Sequence, residues 1–382
     1  MKIVPKIVPI IFLGLLTAFS VSAQQPPSTI PTVSSDNIAR QGAFYVGGSY
    51  VGGAGEETMG GAMYVEVMVP KEIKYPYPIV LLHGTGQTGF DWLWTPDGRP
   101  GWAYNFIDMG FVVYLQDYPA RGRSPYVPAV DGDLSIRTGP TLEKIFTAPA
   151  DEDFPQAKDF TQWPGTGKMG DSIMDTFTRT QVQYIGASQA QLTIDANTAL
   201  LDLIDGPVIL LTHSQGGRFG WSIADERPDN IKAIVTVEPS SPPIRSVDPA
   251  KVAYRESGGL AWGVGNVPIT YDPPISEASE LQVELQPEAE GENLIACYRQ
   301  TEPARTLPNL QDIPVLFLNG QGGYHRIYDH CLANWLNQAG VSTEYVRLEE
   351  VGLPGNGHQM MLELNSKGIA EYISGWLHEN VK

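Results

Sequence analysis

Short apolar runs separated by helix-length mixed segments recur through most of this chain. Ile79 to His83, Phe111 to Asp117, Val208 to Ser214, Ala233 to Glu238 and Val315 to Asn319 have strand length and little polar alternation, the pattern of strands buried on both faces, and Thr343 to Leu348 is a further strand-length run. Strand and helix alternating in this way predict an α/β fold, a mostly parallel sheet covered by helices. Upstream, Phe44 to Val51 and Ala62 to Val69 flank Gly52-Gly53-Ala54-Gly55 and predict an antiparallel hairpin. Residues of about 120–185 and 240–310 break the rhythm with Pro, Gly and aromatic residues and are too long for ordinary connections. They are expected to be cap insertions over the active edge of the sheet.

Residues 1–23 combine a basic start at Lys2 and Lys6, an apolar run through Ile11, Phe12, Leu13 and Leu16, and small residues at Val21-Ser22-Ala23. That is the pattern of a secretory signal peptide. Residues 24–40, rich in Pro, Ser and Thr, predict a flexible spacer, and 41–382 the folded domain. No later stretch approaches the ~20 apolar residues of a membrane span, so a secreted or periplasmic protein is expected. The formal net charge of -18 repels phosphate backbones and makes nucleic acid an unsuitable partner. Cys297 and Cys331 can form a single disulfide in an oxidising compartment or remain two buried thiols.

Candidate chemistry lies where strands end, because functional groups in open parallel sheets gather beyond the carboxyl ends. Thr212-His213-Ser214-Gln215-Gly216-Gly217 carries a strand into a serine and then into a helix. This fits a nucleophile elbow, with threonine where G-x-S-x-G has its first glycine; a simple helix cap is the alternative for Ser214. Glu238 ends the next strand, and His358 lies in the glycine-rich loop after the last one. The order Ser, acid, His gives a nucleophile, an orienting carboxylate and a base. The acid usually comes one strand later, but Asn319 to Gly322 offers only amides there. Asp329 is the fallback acid, and a surface strand-end carboxylate is the plain alternative for Glu238. Among the other histidines, His83 and His213 are expected to hold loops. His325 and His330 point to different faces of a helix, without the carboxylate cluster a metal site needs, and His378 is solvated. No metal or organic cofactor is expected.

A G-x-G-x-x-G runs from Gly84 to Gly89, but Pro96, Gly98 and Pro100 interrupt the helix that a dinucleotide site requires. The loop suits instead an oxyanion hole in which the Thr85 N–H works with that of Gln215. Trp92, Trp94, Trp102, Trp163 and Trp262 are candidate pocket residues or ordinary core. Arg121 and Arg123 could bind a carboxylate, although a structural pair is the simpler reading.

His83-Gly84, Thr88-Gly89, Trp92, Thr95 to Arg99, Gly101-Trp102, Arg121 to Ser124, Thr212 to Gly217, Val237 to Pro239 and His358 to Asn365 together resemble a group of exported bacterial α/β-hydrolase esterases. The resemblance covers nearly all of the sheet. It implies the α/β-hydrolase fold, a triad of Ser214, Glu238 and His358, and tolerance of Thr212. Relatives can carry adjacent cysteines where this chain has Thr85-Gly86. The expected activity is hydrolysis of a small-molecule carboxylic ester through an acyl-enzyme. An amide or carbon-carbon bond hydrolase would use the same triad, and a non-catalytic binding protein the same scaffold.

Overall fold

The computed structural model describes residues 1, 30–150, 152–186 and 189–381. Apart from Met1, the expected signal segment lies outside the described residues. Residues from Val33 onward form one compact unit.

Strands β1 (Ile38–Val51), β2 (Thr58–Pro70), β3 (Ile79–Leu82), β4 (Val113–Asp117), β5 (Val208–His213), β6 (Ile231–Val237), β7 (Val315–Asn319) and β8 (Thr343–Arg347) make an eight-stranded sheet. Their order is β1-β2-β4-β3-β5-β6-β7-β8. β2 is antiparallel to β1 and β4, and every pairing from β4 to β8 is parallel. The hairpin is longer than its apolar pattern suggested: Ile38 already pairs with Pro70, so ordered strand begins inside the segment read as a spacer.

The inner strands read as unbroken apolar runs because alternate residues feed two cores. Val80, Leu82, Leu210, Ile234 and Phe317 face one core, packed by helices α3 (Gln189–Leu203), α4 (Gln215–Glu226) and α5 (Asp329–Gln338). Ile79, Leu81, Leu211, Val235 and Leu318 face the other, packed by α1 (Trp102–Met109) and α6 (Ser366–Asn380). Helix α2 (Ser172–Thr180) belongs to the first long excursion and adds Met174 and Phe177 to this second core. With parallel strands covered on both faces, this is the α/β-hydrolase fold.

The excursion between β4 and α3 includes a π-helical turn, Glu143–Thr147, a geometry often found at functional sites. The excursion between β6 and β7 carries short two-stranded pieces. Cys297 within it is disulfide-bonded to Cys331 on α5, with Cα atoms 5.1 Å apart.

Candidate active site

Ser214 occupies the corner between β5 and α4 at φ 52°, ψ -119°, a region that disfavours any residue with a Cβ and costs about 1–3 kcal/mol. Backbone bonds on both sides hold it there. Its N–H donates to the Val237 carbonyl at 3.1 Å, and its own carbonyl accepts the N–H groups of Gly217 at 3.0 Å and Ser240 at 2.9 Å. Gly217 is required by close approach, since a Cβ there would stand 2.2 Å from Pro239 Cβ. The same comparison explains Thr212. A Cβ at Gly220, on α4, would lie 2.8 Å from Thr212 Cγ2, so the space that a glycine two before the serine would leave is supplied from the helix instead. The Thr212 hydroxyl is used as well, donating to Thr236 Oγ1 at 2.9 Å.

Glu238 leaves β6 with φ 42°, its N–H bonded to the Leu318 carbonyl at 3.1 Å. Its Oε1 accepts the Gly320 N–H at 2.8 Å, and Oε2 meets His358 Nδ1 at 2.7 Å. Both side chains are buried. That contact makes Nδ1 the protonated nitrogen, leaving Nε2 of the neutral ring as a lone-pair acceptor; Nε2 is buried and has no hydrogen-bond partner among the described residues. The loop carrying His358 is tied to the elbow through His213, whose Nε2 contacts the His358 carbonyl at 2.9 Å and whose ring lies 4.6 Å from that of His358. Asp329 instead meets His325 Nδ1 at 2.8 Å.

Burial, then the neighbouring His325, His213 and Arg137, hold His358 well below the usual imidazole value, so the ring is neutral at pH 7 and its Nε2 lone pair is unprotonated. Burial and the Asp329 carboxylate push Glu238 upward, while the Gly320 N–H acts the other way. Glu363 braces the same loop, accepting from Gly357 N–H at 3.0 Å and Asn356 Nδ2 at 2.8 Å, and burial raises it to about 8.

The Gly84 carbonyl accepts Arg121 Nη1 at 3.0 Å. In a trans peptide the next N–H points the opposite way, so the guanidinium on one side aims the Thr85 N–H toward the other, where it meets no acceptor among the described residues. Arg121 Nη2 also reaches Gln215 Oε1 at 3.2 Å, and Gln215 opens α4, where an N–H has no intrahelical partner. Gln87 joins this loop to the histidine loop: its Oε1 accepts the Gly84 N–H at 3.1 Å and its Nε2 donates to Gln359 Oε1 at 2.8 Å. Only a single helical turn, Phe90–Leu93, follows the glycines, unlike the long helix of a dinucleotide site.

His325, whose spacing from His330 predicts no shared site, has its ring parallel to that of His358, with centroids 4.4 Å apart and planes 14° apart. Carboxylates lie nearby after all, Asp329 on its Nδ1 and Glu238 beside it. The available signal was His325 four residues before Asp329. Glu238, His325 and His358 bring ligand atoms within 4.8 Å of one another, but lone pairs in the planes of two parallel rings do not converge on one ion. Phe146 of the π-helical turn also lies parallel to His358, at 5.3 Å, and the Tyr324 ring is tilted 49° to it at 5.1 Å.

The five tryptophans scatter. Trp92 approaches the His213 ring edge-on at 6.4 Å, and Trp163 packs on Phe177 at 5.3 Å, next to Phe146. Trp102 is wholly buried with its Nε1 bonded to the Ser366 carbonyl, and Trp94 packs on Tyr104. Trp262 lies with Leu260 and Trp335 in the core on the α4–α5 face. Trp94, Trp102 and Trp262 thus have packing partners other than His358, as ordinary core residues do. Arg123 is a structural pair, bound to Asp117 at 2.8 Å and to Glu66, while Arg121 is buried with no ion pair among the described residues.

No family model matches the chain. A fungal protein called "Probable secreted lipase phiG" is 42% identical over 340 residues, 88% of this chain and 89% of its own length. Lipase LipV of Mycobacterium tuberculosis is 31% identical over 109 residues, 23% of this chain and 39% of its own. Among solved structures, a novel bacterial esterase superposes with a TM-score of 0.60 at 22% identity, covering 94% of this chain and all of its own, a likeness of fold. With that identity to the fungal lipase over most of both chains, and this sheet beneath it, the chain belongs to the lipase and esterase family of α/β-hydrolases.

Proposed function

We propose that the protein is an exported serine esterase that cleaves carboxylic esters through an acyl-enzyme. One observation carries the reading: Glu238 and His358, 120 residues apart, share a buried 2.7 Å contact at the rim where the strained Ser214 stands. Nε2 of His358 takes the Ser214 proton, and the serine oxygen attacks the ester carbonyl. Glu238 keeps the ring in the tautomer that leaves Nε2 free, and its charge stabilises the imidazolium. The Thr85 and Gln215 N–H groups receive the oxyanion. His358 then protonates the leaving alcohol, and water, deprotonated by the same nitrogen, releases the acid. Export is supported by the pattern at residues 1–23 and by the naming of the fungal relative as secreted.

Hydrolysis of a chain-length series of para-nitrophenyl esters and the matching anilides tests this directly. The wild-type protein should turn over esters, and Ser214→Ala should not. Turnover of anilides without esters would overturn the substrate class.

A further inference from the structure

Ser214 is only 8% exposed, so a substrate reaching it meets the side chains that roof the site. Arg137, half-buried in the first excursion, packs beside the oxyanion loop and the aromatic ring that faces His358. Its Nη1 donates to the Thr85 carbonyl at 2.8 Å, and its guanidinium carbon lies 5.1 Å from the centre of the Phe146 ring that parallels His358. It lies within electrostatic reach of His358 and His213. The Thr85 carbonyl is its one hydrogen-bond acceptor among the described residues, and no carboxylate pairs with it there.

Arg137 is not alone. Arg121 gives its bonds to neutral oxygens, those of Gly84, Gln189 and Gln215. Arg218, on α4, has a buried Nε with no acceptor among the described residues. Arg121 feels both of the other guanidiniums as repulsion. Arginines elsewhere around the rim behave differently: Arg99 holds Asp97, Arg123 holds Asp117 and Arg326 holds Glu349. In a chain with 43 acidic residues against 25 basic ones, carboxylates are plentiful. Three partly or wholly buried cations left without one oppose folding and suit a site that receives negative charge from outside.

We propose that the ester hydrolysed here carries a carboxylate, which Arg137 binds at the edge of the oxyanion loop while Arg121 and Arg218 contribute a positive field. The inference rests on the serine esterase reading above. A guanidinium can offer a carboxylate two parallel N–H bonds, and the Thr85 carbonyl already orders Arg137, so less side-chain freedom is lost when the anion arrives.

Two matched pairs of esters test it. Para-nitrophenyl hemiglutarate against para-nitrophenyl butyrate places the carboxylate on the acyl side. Para-acetoxybenzoate against para-tolyl acetate places it on the alcohol side, after correction for the intrinsic reactivity of each ester. In one pair the anionic ester should have a kcat/KM roughly 10- to 100-fold higher, as expected for a charged hydrogen-bonded pair, and the preference should shrink as salt rises. Arg137→Gln should collapse that ratio and Arg137→Lys should retain part of it; the ratio within each variant is read, so a general loss of rate does not mimic the effect. Neutral esters favoured in both pairs, or a ratio unchanged in Arg137→Gln, would overturn the proposal and leave the esterase intact. Absence of any Ser214-dependent ester cleavage would instead remove the esterase reading, and this proposal with it.

Discussion

The strand ends and the first long excursion both reach His358, but they differ in how tightly each position is set. Ser214 and Glu238 directly follow β5 and β6, whose register is fixed by paired apolar residues on two faces, and both hold positive φ in a network of backbone bonds. Phe146 and Arg137 come from a segment of short turns that touches the site through ring faces and one carbonyl. The rim is therefore suited to chemistry that tolerates little displacement, and the excursion to the choice of substrate, where contacts can change without moving the reacting atoms.

The largest test of this contrast is a pair of substitutions at the rim. Ser214→Ala should lower kcat by about 10^4-fold or more, and Glu238→Gln by about 10^3- to 10^4-fold, through the wrong imidazole tautomer, with KM little changed. A Glu238→Gln enzyme within tenfold of wild type would remove the carboxylate from the mechanism. Next in size is the link between the second excursion and α5. Cys331→Ser should lower unfolding stability by about 2–4 kcal/mol, read from the denaturant midpoint, while changing kcat far less than the rim variants do.

A smaller effect is expected at the elbow. Gly220→Ala should cost about 1–3 kcal/mol because the new methyl meets Thr212. Adding Thr212→Gly should recover part of that loss, and an additive pair would contradict the proposed exchange of volume between strand and helix. The smallest effect concerns pH. A protonated His358 cannot accept the serine proton, so kcat/KM should fall on the acid side. Because burial depresses this histidine, the midpoint should lie below the ordinary value of about 6.5. Phe146→Ala, which lets water nearer the ring, should move that midpoint upward; a wild-type midpoint above 6.5 would show that the ring is better solvated than this packing allows.

The sequence exposed what strand periodicity governs. Apolar runs located the inner strands, and their last residues pointed to Ser214, Glu238 and, after β8, His358. It concealed what depends on packing between distant segments. Helical spacing from His330 points His325 away from any shared site, but it sits in a 3-10 turn before α5, where its ring faces His358. Thr212 looked like a defect because its compensation, Gly220, is a missing side chain one helix away. Residue type alone does not separate Trp262 in the α4–α5 core from Phe146 against the imidazole. Arg137 lies in a stretch without periodicity, and only its position over Thr85 distinguishes it from a solvated cation.

The central claim is that the hydroxyl at the β5–α4 corner is the one activated by the Glu238–His358 pair. Reaction with a serine-directed phosphonate, followed by peptide mapping, measures this most directly. Stoichiometric phosphonylation of Ser214 is expected, abolished in Ser214→Ala and strongly slowed in His358→Ala. An adduct on another residue, or labelling of Ser214 at the same rate without His358, would contradict it.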